Sequence, residues 1–181
     1  MSEQQNELFA TGRGDPPIVS EALFSPCERY RYTLDRAWSD SPRILFVLLN
    51  PSHATEVRND QTVSNCIQHA RRWGFGWITV CNLFAYRSPY PAEMKAQEDP
   101  VGPDNDRWIV ERHSRADTTV IGWGNGGMFR DRDLEVLKLL TGRLMCFDRN
   151  KAFGIRPEGT PKHPCYLHGC NELPMRVWRP E

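Results

Sequence analysis

The chain has 181 residues, 39% of them hydrophobic, which is enough for one ordinary domain with a real core and too little for a second. Lys plus Arg and Asp plus Glu both number 23, so no whole-chain field recruits or repels a polyanion, and any DNA-binding face must be local. No apolar run approaches the roughly 20 residues of a membrane span. The start (MSEQQNELFATGRGDPP) holds no apolar signal region, so a cytoplasmic protein with no membrane partner is expected.

Residues 1–20 are polar, with Gly12, Gly14, Pro16 and Pro17, and read as a flexible arm ahead of a single α/β domain over 21–181. Residues 28–35 (ERYRYTLD) alternate Tyr30, Tyr32 and Leu34 with polar side chains, as expected of an antiparallel edge strand with one wet face. Residues 44–49 (ILFVLL) form a continuous apolar run, the mark of a parallel strand covered on both faces. Residues 62–73 place Val63, Cys66, Ile67, Ala70 and Trp73 at spacings of three and four, predicting an amphipathic helix closed by Gly74.

A second buried strand is expected over 77–81. Residues 87–106, rich in Pro, Gly and Asp, read as a long surface excursion with at most a short helix. A helix over 108–115, a strand over 118–122, a helix over 134–140 and a strand over 144–147 complete the pattern. This alternation predicts a three-layer α/β/α fold with a mainly parallel four-stranded sheet plus the N-terminal antiparallel edge strand. The six cysteines include no C-x2-C pair and read as reduced thiols. Neither G-x-G-x-x-G nor a P-loop is present, which removes ordinary dinucleotide and NTP chemistry; no cofactor and no metal are expected.

In open parallel sheets ligands bind beyond the carboxyl ends of the strands. Asn50, Pro51 and Ser52 follow the first expected strand, Asn82 follows the second, the run GWGNGG over 122–127 follows the third, and His163 and Pro164 lie in the last loop. Singly each has an ordinary explanation as a cap, turn or solvated loop residue. Four such groups on one predicted edge point instead to a binding site.

The order of an apolar strand then Asn-Pro-Ser, a strand then Asn82, a Pro-rich loop, a Gly segment and finally His-Pro-Cys-Tyr-Leu resembles the uracil-DNA glycosylase superfamily over residues 44–167. The chain is also similar to a bacterial family of unknown function, DUF1643, which carries LNPS, NLFA, DPVGPxND and HPxYL in this order; here these are residues 49–52, 82–85, 99–106 and 163–167. The glycosylase resemblance implies a glycosylase-type fold and a DNA glycosylase for uracil or a modified pyrimidine, with DNA, single- or double-stranded, or a nucleotide as partner. It implies that Asn50 positions the attacking water, that Asn82 reads the pyrimidine edge, and that His163 hydrogen-bonds the base oxygen where charge develops.

Phe84 would supply a stacking face. Ser52, Ser88 and the backbone around Pro51 and Pro164 would hold flanking phosphates, Gly124 and Asn125 would line the site, and Trp123 and Tyr166 would wedge or stack. The efficient uracil enzymes carry Asp or Glu where Asn50 stands, and Asn cannot take a proton at neutral pH. Asp60 could restore that carboxylate or could cap the next helix. Two other functions remain open: a module that binds a nucleotide or nucleic acid without chemistry, and a metal-assisted nucleotide or phosphoester hydrolase using Asp104, Asn105 and Asp106, which could equally cap the helix that follows.

Overall fold

The computed structural model describes residues 19–150, 159–166 and 174–179. In chain order its elements are β1 (Val19–Phe24), β2 (Arg31–Ala37), β3 (Arg43–Leu48), α1 (Gln61–Arg72), β4 (Trp77–Asn82), α2 (Pro91–Lys95), α3 (Asn105–Arg115), β5 (Thr118–Ile121), α4 (Arg132–Leu139), β6 (Leu144–Cys146), β7 (Arg149–Asn150), β8 (Thr160–Pro161) and β9 (Arg176–Arg179). Short 3-10 segments lie at Gly124–Asp131 and Pro164–Tyr166.

β3 is too apolar to face water on either side, and it divides its side chains between two cores. Ile44, Phe46 and Leu48 pack with Val63, Cys66 and Ala70 of α1; Leu45 and Val47 pack with Ile109 of α3 and Val136 of α4. Helices therefore cover both faces of the sheet. Burying those five side chains of β3 contributes on the order of 10 kcal/mol before the cost of ordering the chain.

α1 starts where the Asp60 carboxylate accepts the Val63 amide at 2.9 Å. It stops at Gly74, whose φ of 81° turns the chain out of the helix. The Gly74 amide then bonds the Arg71 carbonyl and the Phe75 amide the Ala70 carbonyl, a closure that satisfies the last turn.

The sheet is mixed and seven-stranded, in the order β1-β2-β4-β3-β5-β6-β9. The pairings β4/β3, β3/β5 and β5/β6 are parallel, and β1/β2, β2/β4 and β6/β9 are antiparallel. The expected four-stranded, mainly parallel sheet is thus corrected to a larger one, because antiparallel strands extend it on both sides.

The expected edge strand is also corrected. β2 lies between β1 and β4 and all seven of its residues are buried, so it has no wet face. Two of its charged side chains are instead paired: Asp35 accepts from Thr79 Oγ1 at 2.6 Å and Trp77 Nε1 at 3.2 Å, and Arg36 Nε donates to Asn59 Oδ1 at 3.0 Å. The edge is β1, which begins at Val19 inside the segment expected to be a flexible arm; residues 1–18 of that arm lie outside the described residues. No helix among the described residues is long and apolar enough to cross a membrane.

Candidate functional site

The chain leaves β3 through α1 on one face of the sheet and leaves β5 toward α4 on the other. The carboxyl ends of these adjacent parallel strands are therefore a topological switch point, the crevice position at which open α/β sheets take their ligands. The loop after β3 and the Gly-rich segment after β5 meet there. A Cβ on Gly126 would stand 2.6 Å from Leu49 Cδ2, and one on Gly122 would stand 3.2 Å from Leu48 and 3.4 Å from Pro164. A side chain at 126 would have to displace the end of the Leu49 side chain.

The His163 segment reaches the crevice through a small ribbon. β8 pairs with β7, which follows β6, and the Lys162 amide bonds the Asp148 carbonyl at 2.8 Å. Gly124, at φ 67°, lies against the Cβ of His163, while Asn65 of α1 donates to the Pro164 carbonyl at 3.1 Å. Asn125 accepts from Thr160. The structure thus brings Asn50, Pro51, Ser52, Gly124, Asn125, His163 and Pro164 to one edge with Asn82.

Asn50 spends its amide NH2 on the carbonyls of Ser88, at 2.8 Å, and Pro51, at 3.2 Å, which leaves Oδ1 as the acceptor it can offer. Ser52 Oγ lies 3.1 Å from His53 Nδ1. Asn82 is almost wholly buried at the end of β4; its Oδ1 accepts from Arg31 Nη2 at 3.4 Å. The backbone amide of Cys165 donates to His163 Nδ1, so the neutral ring carries its proton on Nε2. Burial pushes this imidazole down to about 4, and the Asp60 carboxylate offsets only part of that effect. At neutral pH His163 is an uncharged hydrogen-bond donor.

Other expected site residues are placed elsewhere. Phe84 is fully buried and packs against Phe129 at 5.8 Å, so it presents no stacking face. Trp123 is 1% exposed within the core beneath Gly127, and it too is corrected from ligand contact to packing. Ser88 is buried, its hydroxyl donating to Glu93 Oε2 at 2.6 Å and accepting from the Tyr90 amide, which removes it from phosphate binding. Asp60 is the N-cap of α1. Tyr166 closes the last 3-10 segment, and its side chain lies outside the described residues.

The segment 99–106 serves the end of β4. Asn105, with no exposed surface, donates from Nδ2 to the carbonyls of Asn82 at 2.9 Å and Leu83 at 3.0 Å. Asp106 pairs with the buried Arg132. Asp99 accepts the amides of Val101 and Gly102 in a tight turn. Asp99 and Asp106 thus have different partners, Asp104 makes no side-chain cap bond to α3, and among the described residues no group of three or more His, Cys, Asp or Glu could hold a metal ion. None of Cys27, Cys66, Cys81, Cys146 and Cys165 is in a disulfide.

Sequence reasoning passes over one residue of the site. Arg31, 2% exposed, donates from Nη1 to the Ala54 carbonyl at 2.8 Å and holds Asn82 from the other side. Asn105, which the sequence offers as pocket lining, ion ligand or helix cap, instead holds the carbonyls at the end of β4. The signal for Arg31 was its charge within a strand that its neighbours bury.

No curated protein and no solved structure matches the chain. A family model described as protein of unknown function (DUF1643) matches residues 31–165, from the first residue of β2 to the thiol beside His163, and the chain belongs to that family.

Proposed function

We propose that the crevice at the switch point recognises a pyrimidine of DNA and that the protein is a DNA glycosylase-like hydrolase acting on uracil or a modified pyrimidine, with the glycosylase type of three-layer fold. The observation that carries this reading is His163: a half-buried imidazole kept neutral at pH 7, its Nδ1 held by the Cys165 amide and its Cβ against Gly124, so that the ring's proton is on Nε2. A neutral donor placed where negative charge develops on a departing base stabilises the transition state without needing a proton from solvent. Asn50 suits the water-positioning role, because its Oδ1 is the acceptor left over once both amide protons are used. Asn82, held from behind by Arg31, suits the base-reading role.

The proposal is tested by base release from single- and double-stranded oligonucleotides carrying uracil and modified pyrimidines. Wild type should release base; His163→Ala should lose about 100-fold in rate, the scale of one lost donor to a developing anion. Asn50→Ala should hold substrate and lose turnover. No release from any substrate would overturn the enzyme reading.

A second reading, a nucleotide-binding module without chemistry, draws support from Asp60. Its carboxylate, whose charge reaches His163, is engaged as a helix cap, and an amide stands at position 50 where a base would be needed.

A further inference from the structure

Beyond the end of β2 the chain continues to pair. The Arg31 amide bonds the Ala85 carbonyl at 2.9 Å, the Arg87 amide bonds the Arg29 carbonyl at 3.0 Å, and Tyr30 bridges Tyr86. This ribbon sets Arg31 and Arg87 diagonally across from each other, within reach of long side chains. It also abuts the crevice. Ser88, next to Arg87, donates its amide to Pro51 O at 2.9 Å and offers its carbonyl to Asn50, while Arg31 Nη1 holds Ala54 O.

Both guanidinium groups are under-partnered. Arg31 Nε and Arg87 Nε are buried and have no acceptor, and among the described residues neither arginine has a carboxylate within ion-pair distance. The partners Arg31 does have are the Ala54 carbonyl and the Asn82 amide oxygen; Arg87 Nη1 has the Glu28 carbonyl at 3.0 Å, with its guanidinium 4.6 Å from the Phe24 ring. Burial lowers Arg31 to about 10, and the charges of Arg87 and Arg36 push the same way. The Asp60 carboxylate opposes this but is committed to the Val63 amide. A buried charge without a counter-ion is costly, and an anion lodged beside the two guanidinium groups would neutralise the pair.

We infer that Arg31 and Arg87 form a phosphate-binding clamp on the rim of the crevice, taking a phosphate ester of the ligand whose base enters beside Asn82. The assignment of the ester to a pyrimidine nucleotide rests on the proposed function; the anion site itself does not. The clamp replaces Ser88, whose hydroxyl is occupied.

Calorimetric titration with inorganic phosphate, deoxyuridine, dUMP and a short single-stranded oligonucleotide containing one uracil tests this. Wild type should bind inorganic phosphate and should bind dUMP or the oligonucleotide about tenfold tighter than deoxyuridine, the scale of a charge-assisted hydrogen bond. Arg87→Gln should abolish phosphate binding and remove that advantage while leaving deoxyuridine unchanged. Arg31→Gln should abolish phosphate binding as well and should also weaken deoxyuridine, because Arg31 holds Asn82; should it fail to fold, the half-buried Arg87 carries the test. Loss confined to the oligonucleotide would assign the clamp to the DNA backbone, and loss for dUMP to a free nucleotide. No phosphate binding by wild type, or equal binding by wild type and Arg87→Gln, would overturn the clamp. Phosphate binding without base release from any substrate would leave the clamp standing and remove the glycosylase reading.

Discussion

The backbone amide of Cys165 donates to Nδ1 of His163 across 3.2 Å, so the ring is held in one tautomer by the chain two residues ahead of it. An imidazolium would have to give up this acceptor. Acid should therefore act on the fold through this residue. The folded value of about 4 lies below the 6.5 of an unperturbed histidine, so the unfolded chain takes up its proton first as pH falls. His69, buried between the rings of Trp73 and Phe147 at 5.3 and 5.1 Å and lowered by burial, acts in the same sense. Stability should be full above pH 6.5 and fall by on the order of 2 kcal/mol between about 6.5 and 4. Urea unfolding at stepped pH checks this, and His163→Gln should flatten part of the slope.

Asp60 offers a second test, since it could serve catalysis or only cap α1. Asp60→Asn keeps a capping oxygen and should leave stability within about 0.5 kcal/mol, whereas Asp60→Ala should cost about 1 kcal/mol. Because the Asp60 charge raises His163, either change should move the imidazole titration lower, readable by NMR. Unfolding midpoints that fall equally for both variants would remove the capping role.

Asn105 should be intolerant of change in a particular order. Asn105→Ala strips the Asn82 carbonyl of this amide, while Leu83 keeps the Arg132 Nε at 3.0 Å; a loss of about 2–3 kcal/mol follows from one orphaned buried group. Asn105→Asp should be worse, because it sets a buried carboxylate against two carbonyls. Denaturant midpoints rank the pair, and an Asp variant as stable as Ala would contradict the hydrogen-bond assignment.

Two glycines separate backbone strain from steric clash. Gly142 sits at φ 66° with open space around its missing Cβ, so Gly142→Ala should cost about 1 kcal/mol. Gly102, at φ 86°, would also drive a Cβ to 2.8 Å from the Tyr30 ring, and Gly102→Ala should cost at least about 2 kcal/mol. Thermal unfolding of the two variants side by side gives the difference.

The parallel strands and α1 were readable because their signals are local: an unbroken apolar run for β3, three- and four-residue spacing with an Asp cap and a Gly stop for α1. β2 was misjudged because its polar residues are satisfied by partners distant in sequence, Asp35 by Thr79 and Arg36 by Asn59, and an alternating pattern with buried charges reads as a wet face. That the loops of Asn50, Gly124 and His163 meet at one end of the sheet was legible from the strand-end rule. Phe84 and Trp123 were not separable from ligand-facing aromatics, since burial of a loop aromatic depends on what packs over it, here Phe129 and the Gly127 backbone. Arg31 escaped notice because its partners, the Ala54 carbonyl and Asn82, meet it only in the folded chain.

β2 and β3 are consecutive strands joined by residues 38–42, yet they never pair; β4 lies between them, antiparallel to one and parallel to the other. The short connection must stay splayed until a strand from far down the chain is threaded into the gap. Closing that non-local pairing comes at an entropic cost before it yields contacts, and the edge that carries Arg31 and Asn82 comes into existence only when β4 is in place.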